Sequence, residues 1–346
     1  MCAVLLLAPS CGGSGEPTTT DLEPSSATSA PVVQTDAAGR SAAALAEAAA
    51  LAEDFGSAAL LATNDGNVFF DWGATEAKLP IHSIRKPLLG AVFGIHVAAG
   101  EIDLHATLEE LGIDDTPNPL VAEETEATVR DLLMSRSGVY HAAAAEIQAM
   151  RDARPERGSH PPGTFYYYNN WDFNVLGTIF EQQTGTTVCE AFLNEIAIPI
   201  GMQDFTAQDC RLGYERQWSS HPAYPFTMTA RDLARFGLLY VHGGRWGDQQ
   251  IVPGWWIDES WTPYSPLDEA AGISAGYLWL IASTDGDVAR EIGHEVFWHT
   301  GLGVHVLLVV PDLDLVLVHR MDTTQTFTDP GEELFRLLAL VIEAAA

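Results

Sequence analysis

Apolar and polar positions change their period several times along the chain, and each change predicts a different kind of secondary structure. Residues 41–56 (SAAALAEAAALAEDFG) are rich in strong helix formers and end in a glycine, which predicts a helix. Residues 57–73 hold two apolar runs around Asn-Asp-Gly-Asn, a pattern typical of two antiparallel strands joined by a tight turn. The folded part of the chain is therefore expected to begin with a helix and a hairpin.

A helical period dominates the middle of the chain, from about residue 140 to residue 260. Apolar residues recur three and four positions apart in residues 174–185 and 188–202. Residues 229–244 (TARDLARFGLLYVHGG) give the clearest helix, which begins at a capping threonine and ends at two glycines.

Segments on both sides of this block carry other signals. Residues 101–114 predict a short amphipathic piece and a turn, and a helix is expected from about Thr128 to near Gly138. Residues 276–283 and 296–320 are apolar runs broken by Gly-Leu-Gly and Pro-Asp-Leu-Asp, which predicts strands and turns.

These elements together predict an α+β fold, an α/β sandwich plus a helical lobe. Strands from both chain ends join in one antiparallel sheet that the terminal helices flank, the second of these helices following Pro330. Residues of about 101–260 form a large all-helical insertion. Residues 41–346 are expected to be a single bilobed domain, since a chain with 47% hydrophobic residues can bury a sizeable core.

The first 40 residues differ from the rest in composition. The apolar run in MCAVLLLAPSCGG ends at Cys11, which resembles the end of a bacterial lipoprotein signal with lipid on the Cys11 sulfur. Residues 12–39 consist mainly of Ser, Thr, Pro, Gly, Ala and acidic residues, without Lys or Arg, as in flexible tethers. Residues 1–40 are therefore predicted to be a signal and linker that holds the domain at a membrane, the alternative being a disordered terminus with a chance cysteine.

The charge balance bears on partners and location. The chain has 47 acidic and 17 basic residues, a formal net charge of −30. Such a surface repels phosphate backbones, which excludes nucleic acid as a partner, and it suits an exported protein of the periplasm or cell surface. Export would permit a disulfide between Cys189 and Cys210, the alternative being two buried thiols.

The segment LPIHSIRKPLLGAVFG, residues 79–94, places a hydroxyl and an amine three positions apart. Because positions three apart share one face of a helix, Ser83 and Lys86 are expected to point into the same space. Pro87 is tolerated only in a first turn, so the helix should start at or just before Ser83. A buried lysine loses its proton more readily, and a neutral Lys86 amine could accept the serine proton. The pattern indicates a serine nucleophile. Ser-x-x-Lys alone is a weak signal, since Ser83 could be only a helix cap and Lys86 a surface lysine.

Two further stretches strengthen this interpretation. In HPPGTFYYYNNWDFNVLG, Tyr168 and Asn170 lie two apart after a Pro-Gly turn and could face one cleft, the phenol shuttling a proton and the amide holding a carbonyl or the lysine. In FWHTGLG, His299, Thr300 and Gly301 end a strand, where glycine lets a substrate backbone approach and histidine adds a donor, and sometimes a charge.

The three motifs resemble, in order and approximate spacing, those of the serine β-lactamase and penicillin-binding-protein superfamily. The stretches LLMSRSGVYH and PGTFYYYNNWDFNVLG are similar to blocks of its class C branch. The likeness extends from about residue 58 to the C-terminus. The stretches SIRK and SSHPAYPFTMTARDLARFGLLY look closest to non-lactamase members related to 6-aminohexanoate-dimer hydrolase and to esterases of this fold.

The resemblance implies a role for each matching residue. Ser83 would be the acylated nucleophile, and Lys86 would be its general base together with Tyr168. Asn170 would hold the lysine and the substrate amide. The oxyanion hole would be the Ser83 N–H and one N–H after Gly301, in the segment that also holds Gly303. The family's Lys-Thr-Gly is replaced by His299-Thr300-Gly301, which weakens the case for a substrate carboxylate at that point.

A few other aromatic and histidine residues are candidates for the cleft wall or for a metal site. His160 and Trp298 are candidates for the cleft wall. His141, His160 and His221 invite a metal site, but their spacing fits none of the usual zinc patterns, so no metal or organic cofactor is expected.

The sequence thus predicts a serine hydrolase that cleaves an ester or amide bond through an acyl-enzyme, acting on a small-molecule or short peptide-like substrate. The alternatives are a β-lactamase or D,D-peptidase acting on cell-wall-related peptides, and a non-catalytic relative that binds a ligand.

Overall fold

The computed structural model describes residues 41–327 and 329–346. The predictions for residues 1–40, including lipidation of Cys11, lie outside the described residues. Among the helices that are described, none has the length and apolar character needed to cross a membrane.

A large antiparallel sheet runs through the part of the chain that the structure describes. Its eight strands follow the order β2-β1-β12-β11-β10-β9-β8-β7, so that strands from both chain ends are neighbours in one sheet, as predicted. Two short ladders, β3–β4 and β5–β6, lie apart from it. The strands are β1 (Ala59–Asn64), β2 (Asn67–Gly73), β3 (Leu79–Pro80), β4 (Thr227–Met228), β5 (Arg245–Trp246), β6 (Gln249–Gln250), β7 (Ser265–Asp268), β8 (Ile273–Ala275), β9 (Leu280–Ala282), β10 (Val296–Gly301), β11 (His305–Val310) and β12 (Leu315–Arg320).

Helices cover both faces of the sheet and fill the middle of the chain. They are α1 (Ala42–Phe55), α2 (Arg85–Ala98), α3 (Ala122–Thr125), α4 (Val129–Leu133), α5 (Gln148–Ala153), α6 (Asn170–Thr184), α7 (Val188–Ala191), α8 (Ala230–Val241), α9 (Gly254–Ser260), α10 (Asp287–Ile292) and α11 (Glu332–Ala345), with a π-helical segment, Phe192–Ala197, after α7.

The hairpin β1–β2 shows how local chemistry sets the start of the sheet. Asp65 and Gly66 have φ values of 48° and 71°, the two left-handed residues that a two-residue turn of this kind requires. Period-two alternation then sends Leu60 to one face of the sheet and Leu61 to the other. The predicted hairpin is confirmed.

Two hydrophobic cores lie on opposite faces of the sheet. The terminal helices α1 and α11 pack together on one face, where Leu45 and Val341 are buried against Leu60 and Leu317. Helix α8 packs on the other face, on β11 and β12, and Thr229 caps it as predicted. Thus one helix of the middle block belongs to the layer next to the sheet.

Some elements differ from the sequence-based expectation. The helix expected from Thr128 to Gly138 ends at Leu133, because Ser135 takes a left-handed conformation with φ 56°. Residues 101–114 form turns without a helix. The strands β7 and β8 were not predicted, since three or four residues around Pro266 are too short to show a period.

Cys189 and Cys210 form a disulfide, which decides between the two alternatives that the sequence left open. The bond ties α7 to Cys210, which bridges to Phe226 in the segment just before β4.

Candidate active site

Ser83 lies at a junction between two kinds of helix. The 3₁₀ turn His82–Ile84 contains it, and α2 continues directly from that turn. Pro87 therefore falls in the first turn of α2, where its missing N–H costs little. A helical element does start just before Ser83, as predicted, with the difference that its first turn is 3₁₀.

His82, the residue before Ser83, adopts a left-handed backbone with φ 49°. Such a conformation costs roughly 1–3 kcal/mol outside glycine and persists only where its surroundings hold it. Here the ring Nε2 lies 2.8 Å from the Thr323 hydroxyl, and the Ile81 N–H donates to the Phe226 carbonyl at 3.1 Å. The turn that presents Ser83 is thus held by contacts with the segment after β12 and the segment before β4.

Lys86 joins the two hydroxyl groups of the site. Its Nζ lies 2.7 Å from Ser83 Oγ and 2.6 Å from the Tyr168 phenol oxygen. The side chain is 1% exposed, and Nζ also sits 4.5 Å and 4.7 Å from the ring centres of Tyr168 and Phe173. The structure therefore brings together the hydroxyl, amine and phenol that the sequence singled out.

Burial and a neighbouring cation shift the pKa values of Lys86 and Tyr168. Burial, followed by repulsion from Arg85, holds the pKa of Lys86 well below its usual value. Burial raises the pKa of the Tyr168 phenol, although contact with Ser83 and the charge of Arg85 act against it. An amine of lowered pKa beside a neutral phenol is the arrangement that proton transfer from Ser83 needs.

Tyr168 owes its position to Ser135. The Ser135 hydroxyl donates to the Tyr167 carbonyl at 2.6 Å and accepts from the Asn169 N–H at 3.1 Å, while the Ser135 carbonyl accepts from the Tyr167 N–H. Asn169 then caps α6 by accepting from the Trp171 N–H. The segment that carries Tyr168 is thus fixed on both sides.

A cavity of about 420 Å³ opens beside these groups. Ser83 and Tyr168 line it together with Thr300, Gly301 and Leu302, so the two backbone segments expected to supply the oxyanion donors meet there. The volume is in the range of small-molecule sites.

Asn170 lines the cavity but does not have the expected partner. Its Nδ2 donates to the Ala145 carbonyl at 2.7 Å, whereas the hydrogen bonds of Lys86 go to Ser83 and Tyr168. Within the described residues its Oδ1 is buried without a partner. Asn170 therefore supports the cavity wall and offers an acceptor there, and the expectation that it holds the lysine is wrong.

His299 supplies no charge at the rim of the cavity. It is 4% exposed, its Nδ1–H donates to the Thr300 carbonyl at 2.8 Å, and its ring centre is 6.3 Å from that of Tyr168. Burial, with repulsion from Lys86, lowers the pKa of His299 to about 3. Since Thr300 lines the cavity and His299 does not, His299 packs behind Tyr168 as a neutral ring.

Gly301 and Gly303 are required by the protein itself. A Cβ at Gly301 would lie 2.5 Å from the Ile81 carbonyl oxygen, so glycine lets β10 approach the turn that carries Ser83. Gly303 has φ 79°, and a Cβ there would lie 2.1 Å from a methyl group of Thr323. The sequence attributed this freedom to an approaching substrate, whereas the close approach is between parts of this chain.

Two candidates for the cleft wall lie elsewhere. Trp298 is 1% exposed and packs on the face of the sheet that the terminal helices cover, because alternation along β10 turns it away from His299. His160 stacks on Phe165 at 4.0 Å and is not among the residues that line the cavity. Both assignments are wrong.

Sequence reasoning missed several residues of the site. Arg85 and Arg211 line the cavity, as does Ala145, whose backbone is left-handed with φ 63°. The Ala145 N–H donates to a carboxylate oxygen of Glu215 at 2.7 Å. Arg85 carried a signal, since it lies inside the Ser-x-x-Lys motif, but no sequence pattern links Ala145 to Glu215.

His141 belongs to an acid–histidine cluster, defined here as Asp115, Glu124, His141 and Arg157. The two ring nitrogens of His141 lie 3.5 Å from carboxylate oxygens of Asp115 and Glu124, and Arg157 pairs with Glu124 at 2.6 Å. Residues 41–327 and 329–346 contain no group of three or more His, Cys, Asp or Glu side chains arranged to hold a metal ion.

Comparison with known families and structures identifies a matching family and several proteins of similar architecture. The family model described as Beta-lactamase matches residues 42–341. A protein of Bacillus anthracis with the provisional name 6-aminohexanoate-dimer hydrolase is 19% identical, with a TM-score of 0.64 over 85% of this chain and 80% of that one. A D-stereospecific amidohydrolase from Streptomyces sp. is 17% identical, with a TM-score of 0.60 over 82% and 94%. A class C β-lactamase is 12% identical, with a TM-score of 0.64 over 86% and 95%. At these identities the structural likeness concerns the fold.

Proposed function

This chain belongs to the beta-lactamase family, and from that premise we propose that it is a serine hydrolase that cleaves an ester or linear amide bond through an acyl-enzyme. One observation carries the proposal. The Lys86 amine lies within hydrogen-bond distance of both Ser83 Oγ and the Tyr168 oxygen, beside a cavity of about 420 Å³ that Ser83 lines.

The reaction follows from this geometry. Ser83 Oγ attacks the substrate carbonyl carbon while its proton passes to the Lys86 amine, and backbone N–H groups at Ser83 and after Gly301 bind the oxyanion. The bond to the leaving group then breaks. Tyr168 gives its phenol proton to the departing oxygen or nitrogen and takes a proton from the Lys86 ammonium in its place. Water attacks the acyl-enzyme and gives its proton to Lys86, which passes a proton to the departing Ser83 oxygen as the carboxylic acid is released.

The neutral state of His299 favours this substrate class over β-lactams. A fixed cation at this strand would attract a substrate carboxylate, whereas burial keeps His299 uncharged. A β-lactamase or D,D-peptidase activity is the second candidate, and structural similarity to class C β-lactamases supports it. Rapid turnover of a chromogenic cephalosporin, faster than that of p-nitrophenyl esters, would favour the second candidate.

We also propose that the protein is exported and held at a membrane through lipid on Cys11. The disulfide between Cys189 and Cys210 supports export, since such bonds persist in oxidising compartments. Changing Cys11 to Ser should move the protein from the membrane fraction to the soluble fraction, and an unchanged distribution would contradict the anchor.

Intact-mass analysis with a fluorophosphonate probe tests the catalytic proposal. We expect one covalent adduct on Ser83, none in Ser83→Ala, and a loss of ester hydrolysis on the order of 10⁴-fold in that variant. Ser57→Ala is a matched control, because its hydroxyl contacts His319, which does not line the cavity. An unchanged rate in Ser83→Ala would reject the mechanism, and a wild type that takes no adduct would favour a ligand-binding relative.

A further inference from the structure

Arg85 is a buried cation without a carboxylate partner among the described residues. It is 4% exposed, and its Nη2 donates to Asn174 Oδ1 at 3.1 Å. Its guanidinium carbon lies 4.1 Å from the ring centre of Tyr224. Its Nη1 is buried and has no hydrogen-bond partner there. Arg85 is therefore surrounded by neutral dipoles and by the face of a phenol ring.

The burial of Arg85 without a counter-charge is unfavourable for the stability of the fold. Burying a charge is costly unless it is paired, and buried N–H groups are nearly always satisfied. Arg85 also lies in the first turn of α2, where the helix dipole repels a cation. The chain has 47 acidic residues, yet no described carboxylate forms an ion pair with Arg85. An unbalanced charge of this kind is typical of a functional site.

The described side chains around Lys86 include no anion that could offset the charge of Arg85. Tyr168 comes from the segment before α6, Phe173 from α6, His82 from the 3₁₀ turn and His299 from β10. Burial and nearby cations lower the pKa of His82 to about 4 and that of His299 to about 3, so both rings are neutral near pH 7. None of these groups is anionic at that pH.

We propose that Arg85 is a positioning residue of the catalytic site, a deliberately unpaired cation that keeps Lys86 in its uncharged amine form. The proposal rests on the proposed function, since it concerns the base of that reaction. The geometry carries it: Arg85 is adjacent to Lys86 in the chain, is buried in the same wall as Ser83 and Tyr168, and is held by Asn174 and Tyr224. Repulsion by Arg85 on Lys86 agrees with this role.

Two substitutions remove the unbalanced charge in different ways. Arg85→Gln deletes the cation, and Asn174→Asp leaves the cation in place but gives it a carboxylate partner. Both should move the acid limb of the pH profile of kcat/KM upward by about one pH unit, because Lys86 then holds its proton more tightly. Arg85→Lys, which keeps the charge, should leave the limb near its wild-type position.

Asn174→Ala is the matched control for Asn174→Asp. Both lose the Asn174 Nδ2 contact with the Ala144 carbonyl, 3.1 Å in the native chain, but only the Asp variant adds charge. We expect the acid limb of the Ala variant to stay in place even if its kcat falls.

The pH dependence of fluorophosphonate labelling at Ser83 serves as a second readout, which needs no knowledge of the substrate. A uniform loss of rate with an unshifted limb in Arg85→Gln and Asn174→Asp would assign Arg85 a structural role and overturn the inference. Failure of the wild type to label at Ser83 would instead reject the proposed function. If Arg85→Gln does not fold, the Asn174→Asp and Asn174→Ala pair decides the question.

Discussion

Two clusters of ionisable side chains with buried members lie in this molecule, and they differ in how their charges are balanced. In the acid–histidine cluster, His141 lies between Asp115 and Glu124, and Arg157 pairs with Glu124. At the proposed catalytic site, the amine of Lys86 and the guanidinium of Arg85 are buried with no carboxylate partner among the described residues. Removing one partner from a balanced cluster leaves a buried charge uncompensated, whereas unpaired buried cations oppose protonation of their neighbours.

Burial alone does not identify a functional histidine or lysine, as a comparison of His141 and Lys86 shows. His141 and Lys86 are both buried, at 4% and 1% exposure. Two carboxylates outweigh burial and raise the pKa of His141, while burial and Arg85 lower that of Lys86. The surroundings thus favour the charged form of His141 and the uncharged form of Lys86.

The largest expected effect comes from removing the Lys86 amine. Lys86→Met should lower kcat/KM for ester hydrolysis on the order of 10³-fold or more, because Ser83 loses its proton acceptor. Since the wild-type amine is costly to bury, the melting temperature should not fall. Steady-state kinetics and calorimetry on the same preparation check both statements. A large drop in melting temperature would show that Lys86 is structural.

How far the sequence could predict this site depends on the range of the interactions. The pair Ser83 and Lys86 follows from helix periodicity, and the β1–β2 turn follows from Asp65 and Gly66, because both are local. By contrast, Asn170 gives its amide to Ala145, which lies 25 residues away, so its partner could not be inferred.

The errors at β10 have a related cause. Alternation along a strand implies that Trp298 and His299 face opposite sides of the sheet. Which of the two sides carries the cavity depends on the packing of α1 and α11 against one face, which no local pattern encodes. The same reasoning applies to Arg85, because its lack of a counter-charge depends on residues distant in sequence.

The second prediction removes one charge from the balanced cluster. Asp115 accepts from Trp171 Nε1 at 2.7 Å and from the Ser219 and Ser220 hydroxyls at 2.9 Å each, besides facing His141. Asp115→Asn should cost about 3 kcal/mol of unfolding free energy, as for other broken buried pairs. Denaturant unfolding measures the loss.

Activity per folded molecule should stay close to wild type in Asp115→Asn, because this cluster does not line the cavity. Asp54→Asn, at an exposed position of α1, is the matched control and should be nearly neutral. Equal effects of the two substitutions would contradict the view that charge balance stabilises the fold here.

The third prediction uses pH, since the two clusters respond with opposite signs. The raised pKa of His141 gives stability that is present below its unfolded value of about 6.5 and is lost as pH rises through the folded value. The pKa of Glu124 is lowered to about 2 because the contacts with His141, Arg157 and the Val121 N–H outweigh burial, so its contribution is lost as pH falls below about 4.5.

The melting temperature should therefore be highest between about pH 4.5 and 6.5 as far as this cluster decides it. Lys86 acts with the opposite sign, because its lowered pKa makes the fold more stable as pH rises. Melting curves of wild type and His141→Gln across pH 4 to 9 separate the two contributions. The substitution should flatten the decline above pH 6.5, and an unchanged alkaline slope would rule out His141 as its source.

The smallest expected effect concerns Ala145, which lies in the segment that joins the two clusters, four residues after His141 and in the cavity wall. Its left-handed backbone is held by the Glu215 carboxylate on its N–H and by Asn170 on its carbonyl. Glycine adopts this conformation without strain, so Ala145→Gly should stabilise the fold by about 1 kcal/mol, although the more flexible unfolded chain offsets part of the gain.

Ala50→Gly, at an exposed position inside α1, should destabilise the fold by a similar amount, because there the backbone is helical. Opposite signs in the two melting curves would show that Glu215 and Asn170 hold strain at the cavity wall, whereas equal losses would mean that the native backbone at Ala145 is not left-handed.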